Sequence, residues 1–285
     1  MVQIYHFYNR KHYGDNLLNL KFLYNLSSIL QKQGIKVFYY YNAEYNKNTR
    51  ELERYVNKET VTLKRLGQRP EGSIELHMGN RIGDLSHVRN FDKYYDEFYK
   101  RIVSLMNIQI AVPTSLYQPE PYLQTLYERM DPKFQNLDIL ILNSEPQSDQ
   151  FTYNKRAMEA MCVFLHTKFK VATTTPVDDT IPCTWTEGLT IQDIGAISTH
   201  ATYIVAVQSG PLVGCYNSTT KEYVKQWFIL ADAIRYSQIP VHNNVTLETI
   251  LVFFQKLSES SCETPHPSPE CTQTSNPKEM EKNDS

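Results

Sequence analysis

Between Leu137 and Leu142 the chain reads LDILIL, its most apolar run. A run this short and this apolar suits a strand buried on both faces, and such strands belong to parallel sheets covered by helices on either side. That one feature predicts an α/β chain, and the segments around it alternate accordingly. Gln3–Tyr8 is rich in β-formers. After a turn, Leu17, Leu20, Leu23, Tyr24 and Leu30 are spaced for one helical face, which stops at Gly34, and Lys36–Tyr41 reads as a second strand. A β-α-β unit of this kind implies parallel strands joined by a right-handed crossover.

Weaker strand signals lie at Val61–Leu66 and Ile74–Met78, with helical spacing over Phe91–Met106 and Pro121–Met130. A second α/β series begins after Asp131-Pro132. Following LDILIL, it predicts a helix over Thr152–His166, a strand over Phe169–Thr173 and a helix over Thr190–His200. Strands at Tyr203–Val207 and Trp227–Leu230 and a helix at Leu247–Leu257 complete it. The two series predict two Rossmann-like halves, 1–131 and 132–257. From Ser258 to Ser285 the only non-polar side chains besides proline are Cys262, Cys271 and Met280. That stretch is expected to be a disordered tail, because it cannot bury enough surface to offset the entropy of ordering.

Several function classes fall away. With 29 Lys+Arg against 31 Asp+Glu the net charge is −2, and a nucleic-acid binder normally carries a basic excess. No stretch reaches the ~20 apolar residues of a membrane span, and the opening MVQIYHFYNRKHYGD is too polar for a secretory signal, so a cytoplasmic protein is expected. Neither GxxxxGK[ST] nor GxGxxG occurs. No CxxC, HExxH or H-x₃-H spacing suggests a metal site, and VQSGP lacks the first glycine of a hydrolase elbow. Cys162, Cys183 and Cys215 read as small buried hydrophobes.

In parallel sheets ligands bind where strand ends lead into helices, and three such loops carry polar chemistry. The first, after strand one, gathers Arg10, Lys11, His12, Gly14 and Asp15. Gly14 allows a sharp turn or a close backbone approach. Asp15 falls in the first helical turn, where free N–H groups favour its ionised form. It reads either as a helix cap or, facing a cleft, as a group that accepts a proton from a hydroxyl. The second loop, after LDILIL, holds Ser144, Ser148 and Gln150, all able to donate to phosphate or sugar oxygens, or simply to connect strand and helix. The third is Gln208-Ser209-Gly210-Pro211. Pro211 is expected at the first helical position, Gly210 removes a Cβ that would obstruct a phosphate, and the helix end offers N–H donors to an anion. Its plainer alternative is a tight turn with Ser209 as N-cap. Nearby, Thr174 follows another strand, and Glu187 and Asp193 can accept from ribose hydroxyls, although Asp193 also suits a helix first turn. His77 and His87 flank a further Gly-Asp loop, Gly79–Asp84, which follows a strand and can contribute to a cleft.

Tyr13-Gly14-Asp15-Asn16-Leu17-Leu18 after a first strand resembles the start of GT-B glycosyltransferases of the heptosyltransferase-like kind. LDILILNSEPQSDQF, ATTTPVDDTIPCTWTEGLTIQDIGAIST and YIVAVQSGPLVGCYN look like the donor half of such enzymes. Small members in large DNA viruses have a similar layout. The resemblance implies two Rossmann-like domains facing a cleft, an acceptor side over 1–131 and a nucleotide-sugar side over 132–257. It implies a metal-independent, inverting transfer of sugar from a nucleotide-sugar to a glycan hydroxyl, with no cofactor. Asp15 matches the base, and Gln208-Ser209-Gly210 matches the turn facing the diphosphate. Ser144, Ser148, Gln150, Thr174, Glu187 and Asp193 would line the donor, and Arg10, Lys11, His12 and Gly14 the acceptor or phosphate side. The chain departs from the family where Gln-Ser-Gly-Pro replaces the usual Asp-Thr and His-Ala-Ala-Ala pattern, which leaves the sugar open. A catalytically silent nucleotide-sugar or glycan-binding module is the alternative. Of 20 tyrosines, Tyr39–Tyr41, Tyr94, Tyr95 and Tyr99 cluster in the acceptor half, where rings either stack on sugars or pack.

Overall fold

The computed structural model describes residues 2–44, 49–77, 91–146, 151–230 and 242–262. They form two sheets, and every strand pair is parallel. The first contains β1 (Gln3–Asn9), β2 (Ile35–Tyr41), β3 (Val61–Arg65) and β4 (Ile74–Glu75) in the order β3-β2-β1-β4. The second contains β5 (Ile139–Leu142), β6 (Val171–Thr173), β7 (Tyr203–Val207), β8 (Gln226–Leu230) and β9 (His242–Asn244) in the order β6-β5-β7-β8-β9. The order reverses between β1 and β4 in one sheet and between β5 and β7 in the other. These are the switch points at which parallel sheets open a crevice at their carboxyl edges.

The helices are α1 (Tyr13–Asn25), α2 (Ser27–Lys32), α3 (Thr49–Arg54), α4 (Phe91–Leu105), α5 (Tyr122–Glu128), α6 (Lys155–His166), α7 (Ile191–Ser198), α8 (Leu212–Cys215), α9 (Ser218–Tyr223) and α10 (Leu247–Cys262). Among the described residues none is long and apolar enough to cross a membrane. The single long helix expected up to Gly34 is instead two, because Leu26 closes α1 with its N–H on the carbonyls of Phe22 and Tyr24. Gly34 ends α2 with φ +66°, the left-handed geometry that favours glycine. α10 continues five residues past the expected start of the tail, to Cys262. The short strand β9 has no counterpart in the sequence reading. Residues 263–285, the loop Gly79–Asp84 and His87 lie outside the described residues.

LDILIL behaves as its composition dictates. All four residues of β5 are buried, and alternate side chains enter different clusters. Leu140 and Leu142 join a core shared with Phe7, Leu17, Leu20, Phe22 and Val37 of the first half. Ile139 and Ile141 join Met158, Met161, Leu165 and Phe254 on the other face. The apolar core is therefore continuous from one sheet to the next. Cys162, Cys183 and Cys215 are free and buried. Most of the clustered tyrosines pack: Tyr99 lies 4.0 Å from Phe22 at 5° between planes and donates to the Leu18 carbonyl.

Lys21 departs from the usual fate of a lysine. It is buried within α1, pairs with the equally buried Glu120, and donates to the carbonyls of Tyr216 (2.7 Å) and Val213 (3.4 Å). These contacts tie the first helix of the chain to the segment after β7. Glu120 also accepts from the Tyr122 hydroxyl. Removing one member of a buried pair strands the other charge, at a cost of about 3–5 kcal/mol. Lys21→Met is therefore expected to lower the urea midpoint by that equivalent. Adding Glu120→Gln to it should recover part of the loss, and simple additivity of the two losses would contradict the coupling.

Candidate functional site

β1 ends in a structured turn. The Asn9 carboxamide accepts the Lys11 N–H (2.8 Å) and donates to the Leu76 carbonyl (2.8 Å), so the loop is fixed to the strand beside it. Arg10 pairs through Nε with the buried Glu75 (2.7 Å), whose other oxygen accepts from the Tyr8 hydroxyl (3.4 Å). More than half of the Arg10 side chain remains exposed, at 56%. His12 is the N-cap of α1, with extended backbone and no side-chain cap bond. Asp15 is thus three residues inside the cap, and its carboxylate accepts the His12 backbone N–H. The N-cap alternative for Asp15 is corrected accordingly. Gly14 lies in the first turn of the helix and needs no left-handed backbone.

Asp15 lines a cavity of about 10 Å³ with Asn9, Asn19, Leu76, His77, Tyr94, Tyr95 and Phe98. That volume is close to the room one water takes. Burial pushes the Asp15 carboxyl above the ordinary carboxylate range, against the nearby positive charge of His77, His12 and Lys11. Beneath it runs a hydrogen-bonded floor. Tyr39 donates to Asn16 (3.1 Å), and Asn19 donates to both Tyr39 (3.1 Å) and the Leu76 carbonyl (2.9 Å). The Tyr94 hydroxyl is buried in the same wall and has no hydrogen-bond partner among the described residues. A buried orphan hydroxyl beside a buried carboxylate is costly for the fold and useful to a ligand.

At the second switch point, Asn143 follows β5 directly. Its side-chain oxygen accepts the N–H groups of Thr174 (3.0 Å) and Thr175 (2.8 Å), while its Nδ2 donates to the Thr175 carbonyl (3.1 Å). This clasp brings Ser144 and Thr174 together, with hydroxyls 3.0 Å apart. Ser148 and Gln150 lie outside the described residues. Among the described residues, Gln208 is buried after β7 with its Oε1 unsatisfied, and Thr173 at the end of β6 has an unsatisfied hydroxyl. Ser209 turns back, its Oγ donating to the Val207 carbonyl (3.2 Å).

Three expectations change. Pro211 is the N-cap rather than the first helical residue, and α8 has only four residues, so little helix dipole stands behind Gly210. Asp193 completes a capping box, its Oδ2 accepting both the N–H (2.8 Å) and the hydroxyl (2.7 Å) of Thr190. Glu187 pairs with Lys133 at 2.7 Å. The structure thus commits both carboxylates to protein partners.

The first and third loops meet. A methyl built on Gly14 would lie 3.4 Å from Val213 Cγ2 and 3.8 Å from Gly210 Cα, and one on Gly210 would meet only Tyr13, at 4.0 Å. Among the described residues, neither glycine is demanded by packing. The approach is set by two other glycines that the sequence reading passed over. A Cβ on Gly214 would fall 2.4 Å from the Ile191 carbonyl oxygen, and one on Gly195 would fall 2.8 Å from that of Gly214. Only glycine lets α7 and α8 pack this closely. Asn143 and Lys21 were likewise missed; a polar residue immediately after LDILIL was the one local signal available.

The raised Asp15 carboxyl has a stability consequence of definite sign. Between its unfolded and folded midpoints the folded state holds the extra proton, so stability falls as pH rises through that window and stays low above it. Asp15→Asn is expected to raise the melting temperature at pH 7, with the gain fading toward pH 4. A melting temperature lowered by the substitution at neutral pH would contradict this.

No protein-family model matches the chain, and no curated protein does. Solved structures match in fold. The Escherichia coli heptosyltransferase WaaC with ADP superposes with a TM-score of 0.52 at 9% identity, covering 92% of this chain and 100% of that one. WaaC with ADP-2-deoxy-2-fluoro heptose gives 0.50 at 8% identity over 88% and 99%. The chain has the mixed α/β architecture of parallel sheets found in these heptosyltransferases.

Proposed function

We propose that the chain is a glycosyltransferase that moves a sugar from a nucleotide-sugar to a glycan hydroxyl, with inversion and without a metal. The observation that carries this reading is the meeting of the Asp15 helix end with the Gln208–Gly210 turn, across Gly14 and Gly210. A proton acceptor and a turn suited to a diphosphate then share one site, built at the carboxyl edges of two parallel sheets. The fold likeness to enzymes of this chemistry supports it. On this reading residues 1–131 serve the acceptor and 132–257 the donor, and the protein works in the cytoplasm.

Asp15 takes the proton from the acceptor hydroxyl as its oxygen attacks the anomeric carbon. The bond to the nucleoside diphosphate breaks on the opposite side, which inverts the configuration. Tyr94 offers its hydroxyl to the acceptor hydroxyl, the one group of a sugar that a cavity of this size admits. Charge developing on the leaving diphosphate is met by backbone N–H groups at Ser209 and Gly210 and by Arg10 or Lys11. Fixed donors aimed at such charge lower a barrier by several kcal/mol. Ser144, Thr174 and the buried Gln208 oxygen hold the nucleoside. Asp193 serves its own helix cap, and Glu187 pairs with Lys133 at the surface. The absence of a DxD motif is the reason the proposal carries no metal.

Asp15→Asn tests the reading. Transfer to acceptor is expected to fall about 10²–10⁴-fold, the usual contribution of a positioned base, while donor nucleotide still binds. Near wild-type transfer by this variant would remove Asp15 as base. Donor binding by the wild type with no transfer to any acceptor would favour the silent binding module instead.

A further inference from the structure

A buried carboxyl is a poor base unless something keeps it ionised. The titratable groups facing Asp15 come from four directions: Lys11 and His12 from the preceding loop, Tyr39 from β2, His77 from the end of β4, and Tyr94 and Tyr95 from α4. Burial pushes all three phenols upward, so they stay neutral and bring no positive charge. His77, unlike Lys11 and His12, lines the cavity together with Asp15. It follows Leu76, whose N–H donates to the Tyr8 carbonyl (2.7 Å) and whose own carbonyl accepts from Asn9 (2.8 Å) and Asn19 (2.9 Å). Three hydrogen bonds therefore fix the backbone just before His77 against β1 and α1. His77 and Asp15 line the same small cavity, with room between its walls for about one water.

We propose that His77 is a positioning residue: as an imidazolium across this cavity it holds Asp15 in the ionised, proton-accepting form, and the two act as one charge pair. This rests on the reading of Asp15 as base. During transfer the acceptor O–H bond breaks, its proton passes to an Asp15 oxygen, and its electron pair forms the bond to the anomeric carbon. The bond to the diphosphate leaves with its own pair. His77 keeps its proton throughout. The productive state therefore needs Asp15 without its proton and His77 with one, which bounds activity on both the acid and the alkaline side.

The test uses the full chain with His77→Gln and His77→Lys, read by infrared titration of the Asp15 carboxyl against an Asp15→Asn blank, and by the pH profile of transfer. In His77→Gln the protonated carboxyl is expected to persist to higher pH, and transfer on the acid side to fall about tenfold or more, as when one close opposite charge is withdrawn. His77→Lys should restore the acid side and move the alkaline limit upward, because a lysine keeps its proton where an imidazole loses it. An Asp15 titration unmoved by His77→Gln overturns the proposal. If that variant does not fold, an alkaline limit unmoved by His77→Lys overturns it equally. The infrared reading needs no substrate. A shifted titration with transfer intact in Asp15→Asn would thus sink the base assignment and leave the charge pair standing.

Discussion

The buried ammonium of Lys21 joins what the strand order keeps apart. α1 packs beside the first sheet, whereas the carbonyls of Val213 and Tyr216 follow β7 of the second; Glu120, the ion partner, comes from the segment before α5. One lysine satisfies all three groups from within an apolar core. A hydrophobic residue there could pack, but it would leave the Glu120 carboxylate without its countercharge and the Tyr216 carbonyl without its Lys21 donor. Because the same helix carries Asp15 at its other end, the tie also sets where that carboxylate stands relative to the turn after β7.

The glycine pair at the crossing of α7 and α8 is a second constraint of the same kind. Backbone meets backbone at Gly195 and Gly214, which draws α8 inward and seats the Gly210 turn against Gly14. Around this meeting point the fold tolerates features that a purely structural protein would remove. The Asp15 carboxyl is largely withdrawn from water, and among the described residues the Tyr94 hydroxyl and the Gln208 oxygen are buried with no hydrogen-bond partner. Such local violations gather where function outweighs stability.

The sequence shows the α/β alternation because burial on both faces leaves a mark that needs no partner to read, as in LDILIL. The three loops were legible for a related reason: strand ends announce themselves by a change from apolar to short polar residues. What escaped depends on residues far apart in the chain. Nothing local in α1 says that Lys21 will meet Glu120, and nothing around Gly214 says that Ile191 lies 2.4 Å from where its Cβ would be. Glu187 and Asp193 show the same limit. An acidic residue near a strand end looks the same whether it awaits a ribose or is held by Lys133 or Thr190. Tyrosine clustering was readable, but only the packed structure separates Tyr94, with its hydroxyl unsatisfied, from Tyr39 and Tyr99, which are satisfied.

The central claim is that the two loops make one nucleotide-sugar site. Its most direct measurement is the melting temperature of the full chain against ADP, GDP, UDP and CMP. A ligand bound only by the folded state adds RT ln(1 + [L]/Kd) to its stability, about 2.7 kcal/mol at a hundredfold excess over Kd. The account predicts that one of these nucleotides raises the midpoint clearly. A midpoint unmoved by all four at millimolar concentration would contradict it.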